Sequence, residues 1–369
     1  MTVKGRISSV NLFYVLAQTM IGVGLLSLPH QTHHTAGSDG WISILITGFF
    51  IQLIVLIIWL LCRKFPNLTL FDFSKVIVGK TLGTVVNFLY IIYLLTIICY
   101  IFIVYTDTLK RWILPETPGW ILLLILFVLL IYGSICTIKN VISLFSFLFL
   151  FIPLLFLITF FVYHDPSIDV RYLFPIGHSG GWNILKGTKD TFVSFIGYET
   201  LLIYFAFMKR SKSISALKGA FFAILFVTTF LMYIVMISTM MLSPEEMKIT
   251  REPVLYILSA VEIRLLSRLD LIFLSFWCMV VFATIISYSF SASMGISKLI
   301  RIKHKFAVML AGTFVFIVSI IFYYMEVTLL EKWLKHFSLI FGVIIPILLL
   351  FITIIFKREA ASTDEEKEN

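Results

Sequence analysis

Residues 21–29 read "IGVGLLSLP", two glycines and a proline within the first apolar run of the chain. Each glycine lowers helix stability by roughly 1 kcal/mol relative to Ala, and Pro29 removes an N–H and crowds the carbonyl four residues earlier. A helix unwound here frees backbone donors and acceptors. At membrane depth such groups persist only where protein or a polar cavity satisfies them. The half-helix after the break offers N–H groups and a positive dipole end to an anion, while the half before it ends in carbonyls suited to an ammonium group or a cation. An α-amino acid carries both charges on neighbouring atoms. The competing reading is that the glycines simply let helices approach closely.

Membrane depth follows from composition. Of 369 residues, 60% are hydrophobic and 13% charged, and 37 are Phe, too little polarity to clothe a water-soluble surface. About ten apolar runs are long enough to cross a ~30 Å hydrocarbon layer. They fall near 8–32, 41–62, 83–107, 119–138, 141–163, 187–208, 216–242, 269–298, 306–325 and 333–356. Helices are the expected form, because lipid offers no partner to a free backbone group and the alternation of barrel strands is missing. The fold class expected is therefore an all-α integral membrane domain over 1–356, followed by a polar, disordered tail over 357–369.

Lys and Arg set the orientation. They concentrate at "MKRSKSISALK" (208–218) and "KLIRIKHK" (298–305), which places both termini on the cytoplasmic side. The net charge of +9 then reflects topology and anionic lipid rather than a nucleic-acid partner. The basic start lacks a signal-peptide cleavage site and is read as the first helix. Cys62, Cys99, Cys136 and Cys278 show no metal-ligand spacing and read as small core residues. His30, His33 and His34 lack a convincing acidic or cysteine partner, so no metal is assigned.

A second stretch, "IGYETLL" (196–202), echoes the first, five spans later. Interruptions in the first and sixth of ten spans are what two five-helix inverted repeats would produce, here about 8–163 and 187–356, since an odd repeat must re-enter from the opposite face. Glu199 is the acidic residue placed well inside a span, where a charge costs on the order of 3 kcal/mol at insertion. It must face the bundle interior, either as a ligand or proton site or as a strut between the broken helices. Tyr93, Ile97 and Tyr100 share one face of the third span, and Thr284, Tyr288 and Ser291, with Ser287 beside them, one face of the eighth. Such hydroxyl faces suit a ligand pocket or interhelical hydrogen bonds. Tyr105, Trp41, Trp112 and Trp120 read as interfacial belt residues.

"MIGVGLLSLP", "FIGYETLL" and "LLSRLDLIFLSFW" (265–277) together resemble the spore germination permease family, the B subunits of germinant receptors, within the wider amino acid, polyamine and organocation transporters. The resemblance covers almost the whole chain; the Arg268-Leu269-Asp270 motif followed by Trp277 is its narrowest part. It implies a LeuT-like inverted-repeat core in the inner membrane of the spore, sensing a small nutrient such as an amino acid with an A subunit and a lipoprotein C subunit, and needing no cofactor. By the same resemblance, ligand contacts fall on Gly22, Val23, Gly24 and Leu25, on Tyr93 and Ile97, on Gly197, Tyr198 and Glu199, and on Thr284 and Tyr288. The fifth span, 141–163, lacks the Lys by which related proton-coupled carriers replace sodium. Ligand sensing within a receptor complex and secondary active transport of an amino acid both remain open. Catalysis is set aside, because no motif brings together nucleophile, base and oxyanion donors.

Overall fold

A computed structural model describes residues 7–208, 213–261, 268–325 and 327–357. Lys4, Arg6, Lys209, Arg210 and Lys212, the first three residues of the 265–277 stretch and the tail beyond 357 lie outside the described residues. Within them the chain is helical. No β-strand is formed, only an isolated bridge between Ile7 and Met208.

The helices are α1 Ser9–Met20, α2 Gly24–Ala36, α3 Gly40–Lys64, α4 Leu70–Val78, α5 Lys80–Trp112, α6 Gly119–Ser134, α7 Ile138–Leu148, α8 Phe151–Thr159, α9 Gly181–Thr191, α10 Leu201–Tyr204, α11 Ser213–Met241, α12 Pro244–Ile249, α13 Pro253–Ala260, α14 Leu269–Ile300, α15 His304–Tyr323, α16 Val327–Leu339 and α17 Ile345–Ile355. Local chemistry explains their starts. The Ser8 hydroxyl accepts from the Asn11 N–H at 3.1 Å to cap α1, and Ser243 with Glu246 forms a capping box ahead of α12, with Pro244 at its first turn.

Among the described residues, seven helical runs are long and apolar enough to cross a membrane, and an eighth joins them if the bent pair Gly181–Phe195 and Tyr198–Phe207, inclined by 51°, is one span. The run Gly24–Lys64 passes through a 3₁₀ turn at Gly37–Asp39, so it holds the end of the first apolar stretch and all of the second. α6, at 16 residues, falls short of the ~20 that a straight span requires. Large apolar side chains cover the outside: Phe49, Leu82, Phe147 and Phe351 are each more than 60% exposed. Such a surface is a liability in water and the natural one in lipid. The protein is a multi-pass membrane protein.

At the centre, α1 packs on α11 and α14, α2 on α9, and α5 on α14. The α1–α2 segment and the α9–α10 segment are therefore packed against each other, with α14 against α1 and α5 against α14. Residues 21–23 separate α1 from α2, and between the halves of the bent pair lie Ile196 and Gly197, the latter at φ +136°.

Candidate ligand site where two helix interruptions meet

The end of α1 leaves carbonyls without intrahelical donors. Thr284 of α14 supplies one, its hydroxyl donating to Gln18 O at 2.9 Å and lying 3.3 Å from Ile21 O. One turn further along α14, Ser287 accepts from the Thr19 hydroxyl at 2.7 Å. α1 is thus pinned to α14 by hydroxyls spaced as the sequence places them on one face.

The start of α2 has the opposite need. Its first N–H groups have no acceptor four residues back. That of Leu25 reaches Gly22 O at 3.3 Å; those of Val23, Gly24 and Leu26 are left without an intrahelical acceptor. Facing them is Ser194, 9% exposed and with no hydrogen-bond partner among the described residues. Its hydroxyl stands 3.1 Å from where a Cβ on Gly24 would lie, so the glycine is what permits this approach.

Gly197 makes the second close approach. A Cβ there would fall 2.8 Å from Met20 N and from Thr19 C, and its positive φ disfavours any L side chain. The next turn carries Glu199, fully buried. Its Oε2 accepts from the Gly197 N–H at 2.8 Å, and its Oε1 accepts from the Tyr288 hydroxyl at 3.0 Å and the Tyr93 hydroxyl at 3.3 Å. The carboxyl group ties the break in the bent pair to α5 and α14 at once. Phe341, within a π-helical turn at Ile340–Ile344, stacks on Tyr93 with ring centroids 5.0 Å apart and closes that side. Tyr198 is buried edge-on to Phe192.

Between the interruptions lies a cavity of about 50 Å³. Gly22, Val23, Gly24, Ile97, Thr284 and Tyr288 line it. Leu25, Tyr93, Gly197, Tyr198 and Glu199 do not; of these, Glu199 is joined to the lining through Tyr288, and Tyr93 and Gly197 are bonded to Glu199. Tyr100 also lines it, as its shared face with Ile97 leads one to expect. Sequence reasoning passed over Ser194, Gln31, Glu331 and Leu334, all on the lining. Ser194 carried a usable signal, a hydroxyl one turn before Gly197. Glu331 carried none, because the last apolar run was taken to begin at 333. Tyr105 is stacked on the buried Trp277, centroids 5.4 Å apart, and so packs inward rather than standing in an interfacial belt. Cys62 and Cys99 are buried; Cys136 and Cys278 are partly exposed.

Comparison with known proteins agrees with this architecture. The substrate-bound outward-open state of a Na+-coupled sialic acid symporter superposes with a TM-score of 0.71 over 95% of this chain and 78% of its own, at 11% identity, a likeness of fold alone. Spore germination protein GerQB of Bacillus cereus is 24% identical over 353 residues, covering 95% of this chain and 97% of the relative. Spore germination protein YndE of Bacillus subtilis (strain 168) is 28% identical over 301 residues, covering 81% and 82%. The family described as Spore germination protein, the spore permeases, matches residues 6–328, and the chain belongs to it.

Proposed function

We propose that this chain is the nutrient-sensing B subunit of a germinant receptor, holding a small ligand such as an amino acid between the two helix interruptions. In this reading α1 with α2 is one broken span, the bent pair is another and α6 a short one. That makes ten spans in two inverted five-helix repeats, with both termini cytoplasmic and the membrane that of the spore. Ligand would touch Gly22, Val23, Gly24, Ile97, Thr284 and Tyr288, which line the cavity, and would reach Leu25, Tyr93, Gly197, Tyr198 and Glu199 only if the site widened around it. An A subunit and a lipoprotein C subunit would read the shift in population between the two arrangements of the repeats.

The observation that carries the proposal is the meeting of both interruptions at one cavity, with α2 donors on one side and hydroxyls on the other. Of the acceptors freed at the end of α1, Gln18 O is engaged by the Thr284 hydroxyl, which also lies 3.3 Å from Ile21 O. The transport reading is supported by the fold shared with a Na+-coupled symporter.

Vesicles holding only this chain separate the two. Sensing predicts saturable binding of a labelled amino acid and no accumulation under a sodium or proton gradient. Gradient-driven accumulation would make the chain a transporter.

A further inference from the structure

Helix α9 is held from one side. Its main contacts run to α2 and α3, and Ile184, Gly187 and Thr191, which share one face, are buried. The Ile184 carbonyl accepts from the Ser43 hydroxyl at 2.8 Å, so this part of α9 stands level with the first turn of α3. The opposite face carries Trp182, Leu185, Lys186 and Lys189, at i, i+3, i+4 and i+7, a single stripe. All four are exposed, Trp182 by 71% and Leu185 by 51%. Half of the stripe is apolar and half is basic. Neither lysine is paired with a carboxylate among the described residues. The neighbouring acid, Asp190, is engaged instead by the Thr35 hydroxyl and by Lys335.

The direction of the helix fixes where these charges stand. α9 starts from an exposed loop and leads to the buried break at Ile196 and Gly197, so its N-terminus points to the membrane surface. Helical side chains lean toward their N-terminus. Lys186 does so: its Nζ lies 5.7 Å from the centroid of the Trp182 ring, one turn back. An ammonium drawn back along an apolar stripe to the level of an exposed indole is placed as snorkelling lysines and belt tryptophans are, at the headgroup layer.

We infer that this stripe is a binding site for an anionic lipid, with the headgroup phosphate taken by Lys186 and Lys189, and Trp182 and Leu185 against the glycerol and upper acyl chains. A lipid answers both halves of the stripe at once. An acidic protein partner would answer the lysines and leave the indole and Leu185 without an apolar match. The site is independent of the cavity between the two interruptions, which none of the four residues lines.

The test uses the full chain in phosphatidylcholine nanodiscs in which a fixed fraction of the lipid is brominated, either phosphatidylcholine or phosphatidylglycerol. Tryptophan quenching in each background is compared with the same background carrying Trp182→Phe, so that the difference reports Trp182 alone. At low salt the preference for phosphatidylglycerol at Trp182 should be about fivefold for each lysine engaged. It should fall about fivefold in Lys186→Gln or Lys189→Gln, and approach unity in the double variant. Salt at about 1 M should abolish it in the wild type, an arm that needs no lysine substitution. Equal quenching by the two lipids, or a preference unmoved by the lysines and by salt, would overturn the site. Absence of quenching by either lipid, with Trp182 open to aqueous iodide, would overturn it as well, because the stripe would then stand clear of the bilayer and face a protein partner.

Discussion

Replacing Gly197 by Ala should damage the protein far more than replacing Gly22 by Ala, although the sequence presents the two glycines as equivalents. At Gly197 two effects combine. An L residue held at φ +136° costs about 1–3 kcal/mol in backbone strain. The added methyl must also displace backbone, Met20 N and Thr19 C at 2.8 Å, which a packed interior resists by about 1–3 kcal/mol. The expected loss is therefore about 2–6 kcal/mol. At Gly22, φ lies outside the left-handed region and the nearest atoms to a new Cβ are Thr284 Cγ2 and Oγ1 at 3.5 and 3.6 Å, ordinary contact. There Ala should change stability by less than about 1 kcal/mol, and restriction of the unfolded chain would favour it. Purified variants in one detergent, compared by the midpoint of thermal or denaturant unfolding and by amino-acid binding, give the ranking. Gly197→Ala with a wild-type midpoint and wild-type binding would refute the claim that the two interruptions are pressed backbone to backbone.

Thr284→Val keeps the shape but removes the donor to Gln18 O and Ile21 O; unfolding midpoints should show a loss of about 1–3 kcal/mol, and Thr284→Ser should recover most of it. Tyr288→Phe should lower stability and ligand response more than Tyr93→Phe, because its hydrogen bond to Glu199 is 3.0 Å against 3.3 Å; the same order in a titration of amino-acid binding checks it. Lys298→Met breaks a partly exposed ion pair to Asp72 and a hydrogen bond to Thr69, and unfolding midpoints should move by less than about 1 kcal/mol.

Much of the candidate site was legible because membrane depth makes irregular backbone and buried charge conspicuous. Gly22 and Gly24 stand at the interruption they announce, at residues 21–23 and the first residue of α2, whereas Pro29, expected to add to the break, lies inside the continuous helix α2. The helical period placed Thr284 and Tyr288 on one side of α14 and Tyr93 and Ile97 on one side of α5. What the period cannot convey is depth across the bundle. Tyr93 bonds to the Glu199 carboxyl behind the cavity, whereas Ile97, one turn on, lines it. Nor does sequence say which glycine is sterically required, since that depends on how closely a remote helix end approaches. Glu331 escaped notice for a third reason. It lies before the apolar run as bounded from sequence, and its partner Lys335 also reaches Asp190, a residue of another helix and 141 positions earlier in the chain than Glu331.

The polar groups freed by the two interruptions are not answered evenly, and the imbalance is informative. The carbonyls at the end of α1 receive Thr284, and the N–H of Gly197 receives Glu199, which in turn draws in two tyrosines. An acceptor on one helix and a donor on the other are thereby met by side chains. The first-turn donors of α2 have no such side-chain partner among the described residues, and there a glycine and the Ser194 hydroxyl, also unpartnered among those residues, stand against each other beside an open volume. Unmet donors in a dry interior cost about 1–3 kcal/mol each, so a structure that leaves them is stabilised by whatever acceptor enters. An anion does this best at a helix N-terminus, where the dipole adds to the hydrogen bonds. A ligand that binds only when these groups converge then favours the arrangement in which the two interruptions are closed on each other. That differential is the physical quantity a partner subunit could read.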